Sequence, residues 1–294
     1  MQKIGFVGIG KIGLPICANL MKSGFAVVGY RRSSLAEFEQ AGGIAAHSPS
    51  DVGAQTDIVF TCLPDDAALE SVVRGPEGLL KSARPGQIVV ELGSHPVKVK
   101  QQYVAPFANK GVTFLDGEVS GTPGMVIARK GVIYLGGPRD AVSRIEPIVA
   151  GFADLCLHLG DFGAATKVKL VNNFLVALHI AGTAQAMALG LKTGVDKDLL
   201  IKAIATGSGS STQFGIRAPW MAERCFLPQQ GSAAGLAHYL DTAKVMAADA
   251  GVATDLLDCL IDVFARAVPD IGSRDVAAML EFFETKKHNQ ERST

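Results

Sequence analysis

A chain of 294 residues is long enough for about two domains of ordinary size, each able to bury its own core. Lys and Arg together number 28, as do Asp and Glu, so the formal net charge is zero. This balance argues against the broad basic surface of a protein that binds nucleic acid or a membrane. We therefore expect a small molecule as the partner.

The first half of the chain alternates short β-rich runs with helical stretches. The runs are KIGFVG, FAVVGY, DIVFTCL, QIVVEL, VTFLDGEV, GVIYLGG and DLCLHLG. After about Gly163 the strands stop, and Ala- and Leu-rich helical periods follow, broken at 206–212 and 228–235. This order predicts an α/β fold, with an N-terminal doubly wound sheet over 1–162 and a C-terminal all-α domain over 163–294.

The segment FLVALHIAGTAQAMALGL, residues 174–191, approaches the length of a membrane span. Its His179, Thr183 and Gln185 argue against a lipid-facing helix, so we expect a buried helix at the centre of the all-α domain. Such a helix has more apolar surface than one small domain buries, which predicts a homodimer or homotetramer through residues 163–294. The final KKHNQERST, residues 286–294, is expected to be frayed.

Three glycines at fixed spacing stand between the first predicted strand and the first predicted helix. In a βαβ unit of the Rossmann type, the first glycine makes the tight turn and the second lets the backbone approach a pyrophosphate. The third lets the helix pack closely on the strand, and the helix N-terminus offers free N–H groups to the phosphates. The motif predicts a Rossmann domain that binds a dinucleotide through Gly8, Ile9, Gly10, Lys11, Ile12 and Gly13.

The end of the second predicted strand indicates which dinucleotide binds. An NAD site usually has Asp or Glu there to hold the ribose hydroxyls. This chain has Arg31 and Arg32, and the next acid is Glu37, inside the following helix. Two guanidinium groups suit a 2′-phosphate, so the sequence predicts NADP as the cofactor, with NAD possible.

Cysteine and histidine bear on redox state and metal binding. The five cysteines are an odd number, lie far apart and form no CxxC pair, which is typical of reduced thiols. The six histidines show no ligand spacing with Cys or acidic residues, so we expect no metal. Because the chain reads as a strand from residue 3 onward, no signal peptide is expected and a cytoplasmic location is predicted.

Several stretches carry a family resemblance in the same order along the chain. GIGKIGLPICANL, 8–20, closely resembles the fingerprint of the β-hydroxyacid dehydrogenases, the family of 3-hydroxyisobutyrate dehydrogenase, tartronate semialdehyde reductase and 6-phosphogluconate dehydrogenase. Four further segments resemble segments of that family: TCLPDD, 61–66; ELGSHP, 91–96; FLDGEVSGTPG, 114–124; and GAATKVKLVNNFL, 163–175. The likeness covers nearly the whole chain and implies an NAD(P)-dependent 3-hydroxyacid dehydrogenase or semialdehyde reductase.

The resemblance implies a role for particular residues. Lys169 would be the general acid in reduction and the base in oxidation, and Asn173, four residues on and so on the same helical face, would bond the reacting oxygen or its neighbour. The substrate carboxylate would lie on Ser120, Gly121 and Thr122, whose hydroxyl and N–H groups suit an anion. Cofactor contacts would come from Leu63, Pro64, Ser94, His95 and His238.

Some residues depart from the family pattern and leave other functions open. His238 and Tyr239 stand where members generally have Lys-Asp, unless the alignment is off by one, and His95 varies the segment beside the nicotinamide. One alternative is imine reduction on the same scaffold, although those enzymes usually lack the lysine that Lys169 preserves. Another is a non-catalytic cofactor-binding module, which retention of Lys169 and Asn173 disfavours.

Overall fold

The computed structural model describes residues 1–285, so the tail predicted to be frayed, 286–294, lies outside the described residues. The chain divides into two compact units, Met1–Lys169 and the segment from Leu170 onward. The domain boundary after residue 162 stays a prediction.

The first unit is built on an eight-stranded sheet in the order β3-β2-β1-β4-β5-β6-β7-β8. Neighbouring strands are parallel except β6 and β7, which are antiparallel. The strands are β1 (Lys3–Val7), β2 (Ala26–Tyr30), β3 (Ile44–Ala45), β4 (Ile58–Thr61), β5 (Ile88–Glu91), β6 (Thr113–Ser120), β7 (Val132–Gly136) and β8 (Leu155–His158). The seven predicted runs are all strands. The two-residue β3 was missed because it is too short to show an alternation.

Helices cover both faces of this sheet. They are α1 (Gly13–Lys22), α2 (Ala36–Gln40), α3 (Pro49–Gln55), α4 (Asp66–Arg74), α5 (Leu79–Ser82), α6 (Val97–Gln101), α7 (Val104–Ala108), α8 (Pro123–Ile127) and α9 (Arg139–Val149). Successive side chains of one strand enter two separate apolar clusters: Phe60 of β4 belongs to one and Val59 to the other. A sheet buried on both faces explains the continuous apolar runs in the sequence.

The second unit is helical throughout its described part. A long helix, α10 (Ala164–Lys192), runs into it from the first unit and is followed by α11 (Lys197–Thr206), α12 (Thr212–Ala222), α13 (Ala233–Ala250), α14 (Asp255–Ile271), a 3₁₀ turn (Val276–Ala278) and α15 (Met279–Glu284). The predicted fold class, a Rossmann sheet followed by an all-α region, is confirmed.

The long apolar helix is less buried than the sequence predicts. Ile180, Ala184 and Met187 of α10 lie in the core of the second unit, but only 39% of the most apolar 18-residue window is buried. α10 is long and apolar enough to cross a membrane, but the core helices of soluble proteins can also be this long and apolar. The segment 174–191 therefore buries one face, and its other residues are half-buried or exposed.

Candidate active site

The glycine turn connects β1 to α1 at the centre of the sheet. Gly8 has φ of +97°, and its N–H donates to the carbonyl of Tyr30 at 3.0 Å. A Cβ on Gly8 would overlap the carbonyl oxygen of Cys62. A Cβ on Gly13 would overlap the carbonyl oxygen of Gly8 and lie 2.8 Å from the ring of Phe6. The fold itself therefore requires glycine at these two positions.

Gly10 differs from the other two glycines. It is exposed, and a Cβ built on it would meet no atom of the described chain within 4 Å. Behind it, α1 has Ile12 as its N-cap, with no side-chain cap and no acid in its first turn. The N–H of Leu14 donates to the carbonyl of Gly10 at 2.9 Å and Pro15 has no N–H, so the helix offers an anion chiefly its positive dipole end. Open space before an uncapped helix N-terminus fits the pyrophosphate of a dinucleotide, with Ile9 buried beneath the turn and Lys11 exposed beside it.

Arg31 is held at this turn. Its Nη1 donates to the carbonyl of Ile9 at 2.8 Å, and its Nε is buried with no hydrogen-bond partner among residues 1–285. Arg32 is exposed. The structure thus places one guanidinium beside the glycine loop with a donor left over, and the second in solvent.

The loops after β4 and β5 lie at the same edge of the sheet, because the carboxyl ends of parallel strands point one way. The half-buried Leu63 approaches the turn, 3.2 Å from where a Cβ on Gly8 would lie, whereas Pro64 is exposed. Ser94 follows β5 and its hydroxyl donates to the carboxylate of Glu118 at 2.5 Å. In open α/β sheets this edge binds ligands where the strand order reverses, here between β1 and β4.

His95 is buried between two carboxylates. Its Nδ1 lies 2.7 Å from Oδ1 of Asp66, and its Nε2 lies 3.6 Å from Oε1 of Glu91. Burial lowers the pKa of His95, but the two carboxylates outweigh it and the net pKa is raised. The imidazole therefore keeps its proton to a higher pH than usual.

The predicted carboxylate loop connects β6 to α8. Ser120 is the last residue of β6, and Thr122 is the N-cap of α8, where its Oγ1 accepts from the N–H of Met125 at 3.3 Å. The Thr122 hydroxyl still has its own proton to donate. Gly121 lies between them, and a substrate contact of this loop stays a prediction.

Lys169 lies beside the same loop. It is 8% exposed, and its Nζ donates to the carbonyl of Val119, the residue before Ser120, at 2.8 Å. Burial lowers the pKa of Lys169, and the charge of Glu118 opposes that change. The structure brings the predicted acid to the end of β6, within unit one.

Two predicted site residues belong to the second unit. Asn173 comes one helical turn after Lys169 on α10, and its Oδ1 accepts from Nδ2 of Asn172 at 3.3 Å. His238 is exposed on α13, its ring 6.2 Å from that of Tyr239. Their contacts with substrate and cofactor stay predictions.

A buried ionic cluster next to Lys169 was missed by the sequence analysis. Lys100, Asp116 and Glu118 are all fully buried, and Lys100 Nζ lies 3.0 Å from Asp116 Oδ1 and 3.2 Å from Glu118 Oε1. The available signal was the pair of acids at alternate positions of the apolar run VTFLDGEV, which puts both on one face of a buried strand. Lys100 gave no signal because its partners are distant in sequence.

Fold and site together define the class. A glycine turn with an uncapped helix N-terminus, strand ends converging at the switch point, and a buried lysine beside a hydroxyl-bearing loop are the parts of a nicotinamide-dependent oxidoreductase. Within residues 1–285, no group of three or more His, Cys, Asp or Glu side chains is placed to hold a metal ion.

Comparison with known proteins identifies the family. Residues 3–160 match the NAD binding domain of 6-phosphogluconate dehydrogenase, and residues 163–283 match the NAD-binding family of NADP-dependent 3-hydroxyisobutyrate dehydrogenase. The L-threonate dehydrogenase of Cupriavidus necator is 32% identical over 77% of each chain. The chain belongs to the β-hydroxyacid dehydrogenase family and is an NAD(P)-dependent hydroxyacid dehydrogenase.

Solved structures agree with this assignment. The Mycobacterium tuberculosis 3-hydroxyisobutyrate dehydrogenase, solved with L-serine, superposes with a TM-score of 0.86 at 25% identity, covering 97% of this chain and all of that one. An imine reductase from Myxococcus stipitatus, solved with NADP⁺, reaches a TM-score of 0.65 at 17% identity over 96% of this chain and all of that one. The second likeness shows a shared fold alone.

Proposed function

We propose that this enzyme transfers a hydride between NADP(H) and a small 3-hydroxy acid, or the corresponding semialdehyde, that carries a carboxylate. The observation that carries the proposal is the position of Lys169, buried with its Nζ on the carbonyl of Val119 beside the loop 120–122. Relatives are named after hydroxy-acid anions, as in L-threonate dehydrogenase and 3-hydroxyisobutyrate dehydrogenase, and these names support a carboxylate-bearing substrate.

Lys169 acts as the proton donor and acceptor. A nicotinamide cofactor, when bound, would supply or accept the hydride. In reduction, the Lys169 ammonium donates a proton to the carbonyl oxygen and stabilises the negative charge that develops there. In oxidation, the neutral amine takes the hydroxyl proton. Burial lowers the pKa of Lys169, which makes the neutral amine needed for oxidation easier to form.

Substrate is held by groups around Lys169. Ser120 and Thr122 have hydroxyl donors and Gly121 adds a backbone N–H, a set that suits one carboxylate. Asn173, one turn along α10 from Lys169, donates to the reacting oxygen or its neighbour.

Preference for NADP over NAD follows from the end of β2. Arg31 has a buried Nε without a partner in the described chain, Arg32 is free in solvent, and no acid is present at this strand end to hold the ribose hydroxyls. A 2′-phosphate supplies the anion that these two guanidinium groups can bind.

No specific observation favours imine reduction or a non-catalytic cofactor-binding module. Imine reduction on this fold does not explain a buried lysine beside a hydroxyl-bearing loop, and a module that binds cofactor without catalysis needs no acid with a lowered pKa.

The direct test follows the absorbance of the reduced nicotinamide while purified protein is offered 3-hydroxy acids, their semialdehydes and cyclic imines. Turnover of a carboxylate-bearing hydroxy acid or semialdehyde with NADP(H) is expected. Turnover of imines alone would replace the proposal with imine reduction, and cofactor binding without turnover of any substrate would favour the non-catalytic module.

We also propose that the protein is a homodimer or homotetramer in the cytoplasm. Leu175 and Leu189 of α10 are 45% and 67% exposed, and Leu199 and Leu256 on α11 and α14 are 64% and 63% exposed, so these helices offer apolar side chains to a subunit interface. Light scattering at micromolar concentration is expected to give a multiple of the chain mass, and a monomer would contradict the proposal. The five unpaired cysteines support a reducing compartment.

A further inference from the structure

Glu118 is a buried acid to which the proposed mechanism gives no role. It lies on β6 between Gly117 and Val119, and its side chain is fully buried. Oε2 accepts from the hydroxyl of Ser94 at 2.5 Å, and Oε1 lies 3.2 Å from the ammonium of Lys100. An ionised carboxylate can stay buried only when it is paired and hydrogen-bonded in this way.

Lys169 supplies a second positive charge near Glu118, beside that of Lys100. Lys100 is shared with Asp116 at 3.0 Å, so two buried carboxylates face one ammonium and leave one negative charge over. Lys169, bonded to the carbonyl of the residue after Glu118, is the second cation. Burying excess negative charge is costly, and a second cation beside these acids lowers that cost.

The protonation of Glu118 and that of Lys169 depend on each other. The pKa of Glu118 is raised, because burial and Asp116 raise it by more than Lys100, Lys169 and the Ser94 hydroxyl lower it. Burial lowers the pKa of Lys169, and Glu118 is the charged group that opposes this. An anion at Glu118 therefore favours the charged form of Lys169.

We propose that Glu118 is a positioning residue that acts through Lys169, keeping its ammonium protonated, and that Ser94 ties this carboxylate to the loop after β5. The inference rests on the proposed role of Lys169 as the acid. Reduction consumes the Lys169 proton in each turnover, so the group that favours its return sets the pH range in which reduction runs.

Glu91 offers a matched control. It is another fully buried carboxylate at the end of the neighbouring strand β5, and it accepts from the hydroxyl of Thr61 and from the N–H of Gly93. Its nearby cation is His95, 3.6 Å away, and its charge acts on Lys100 but is not among those acting on Lys169. Glu91→Gln removes a buried carboxylate charge but leaves the charge of Glu118, which acts on Lys169, in place.

The first measurement is the pH profile of kcat/KM in both directions. Reductive kcat/KM falls as pH rises and Lys169 loses its proton, and Glu118→Gln should move this fall to lower pH. At the alkaline end we expect a loss of roughly tenfold relative to the wild-type profile. Oxidative kcat/KM should rise at lower pH than in the wild type. Glu91→Gln should leave both limbs in place, and unchanged limbs in Glu118→Gln would overturn the inference.

The second measurement needs neither cofactor nor turnover. Only a neutral amine reacts with acetic anhydride, so the pH at which Lys169 becomes acetylated, read by peptide mass spectrometry in the full chain, reports its protonation directly. Acetylation should begin at lower pH in Glu118→Gln than in the wild type or Glu91→Gln. Should Glu118→Gln fail to fold, Glu118→Asp, which withdraws the carboxylate by one methylene, should shift acetylation in the same direction.

The two measurements separate the two ideas. A wild-type protein that turns over no hydroxy acid refutes the proposed function, whereas the acetylation profile still tests Glu118. Unshifted acetylation in the Glu118 variants, with or without a lowered melting temperature, would mean that Glu118 is only structural.

Discussion

Gly10 and Gly13 belong to one motif, but alanine should have opposite effects at the two positions. Gly10 is exposed, lacks a positive φ, and has open space where a Cβ would lie. Gly13 is buried where α1 crosses β1, and its Cβ would overlap the carbonyl of Gly8 and lie 2.8 Å from the ring of Phe6. Gly10→Ala should lose cofactor binding in a stable protein, and Gly13→Ala should destabilise the protein itself.

The sizes follow from the same geometry. Gly→Ala at a compatible backbone position stabilises by about 0.4–1 kcal/mol, so Gly10→Ala should unfold at or slightly above the wild-type temperature. Its methyl group would occupy the space for the pyrophosphate, and losing one N–H bond to a charged group costs about 1.5–3 kcal/mol, or roughly 10- to 100-fold in Kd. Overlap with a backbone atom in Gly13→Ala should cost about 3 kcal/mol and lower Tm by about 6–12 °C.

Two assays on the same samples decide the matter. Thermal unfolding followed by circular dichroism gives Tm without cofactor, and nicotinamide fluorescence gives the Kd for NADPH. If Gly10→Ala binds NADPH like the wild type, the pyrophosphate does not lie over Gly10 and the assignment of this turn is wrong. If Gly13→Ala melts like the wild type, the close approach of α1 to β1 is wrong.

Three further outcomes are expected. Lys169→Ala should lower kcat by about 10²–10⁴-fold with little change in cofactor affinity. Lys169→Arg should not restore kcat, because a guanidinium keeps its proton. Near-normal steady-state turnover in Lys169→Ala would refute the role of Lys169 as the acid. Replacing Arg31 and Arg32 together by Ala should cost about 2–4 kcal/mol of the preference for NADPH over NADH in fluorescence titrations, and equal wild-type affinities would contradict the reading. Asp275→Asn should lower the free energy of unfolding, measured in urea, by about 3–5 kcal/mol. The reason is that Arg217, 2.6 Å away and with a side chain 4% exposed, would keep a buried charge without its partner. A loss below about 1 kcal/mol would show that this ion pair is dispensable.

Local sequence alone determined much of the fold and part of the site. Apolar runs long enough to show a period became strands and helices, and the spacing of Gly8, Gly10 and Gly13 predicted the turn that β1 and α1 form. These features depend on neighbours within one βαβ unit, where backbone geometry leaves few choices. The spacing of Lys169 and Asn173 likewise needed only the helical period.

Tertiary structure decided what depends on residues distant in sequence. Arg31 donates to the carbonyl of Ile9. Glu118 on β6 contacts Ser94 and Lys100 because β6 pairs with β5, and Ser94 and helix α6 both follow β5 in the chain. Nothing in the local pattern specifies these distances, since the partners are brought together by the order of strands in the sheet. The sequence thus determined which residue types reach the strand ends, and packing decided which charges lie near each other there.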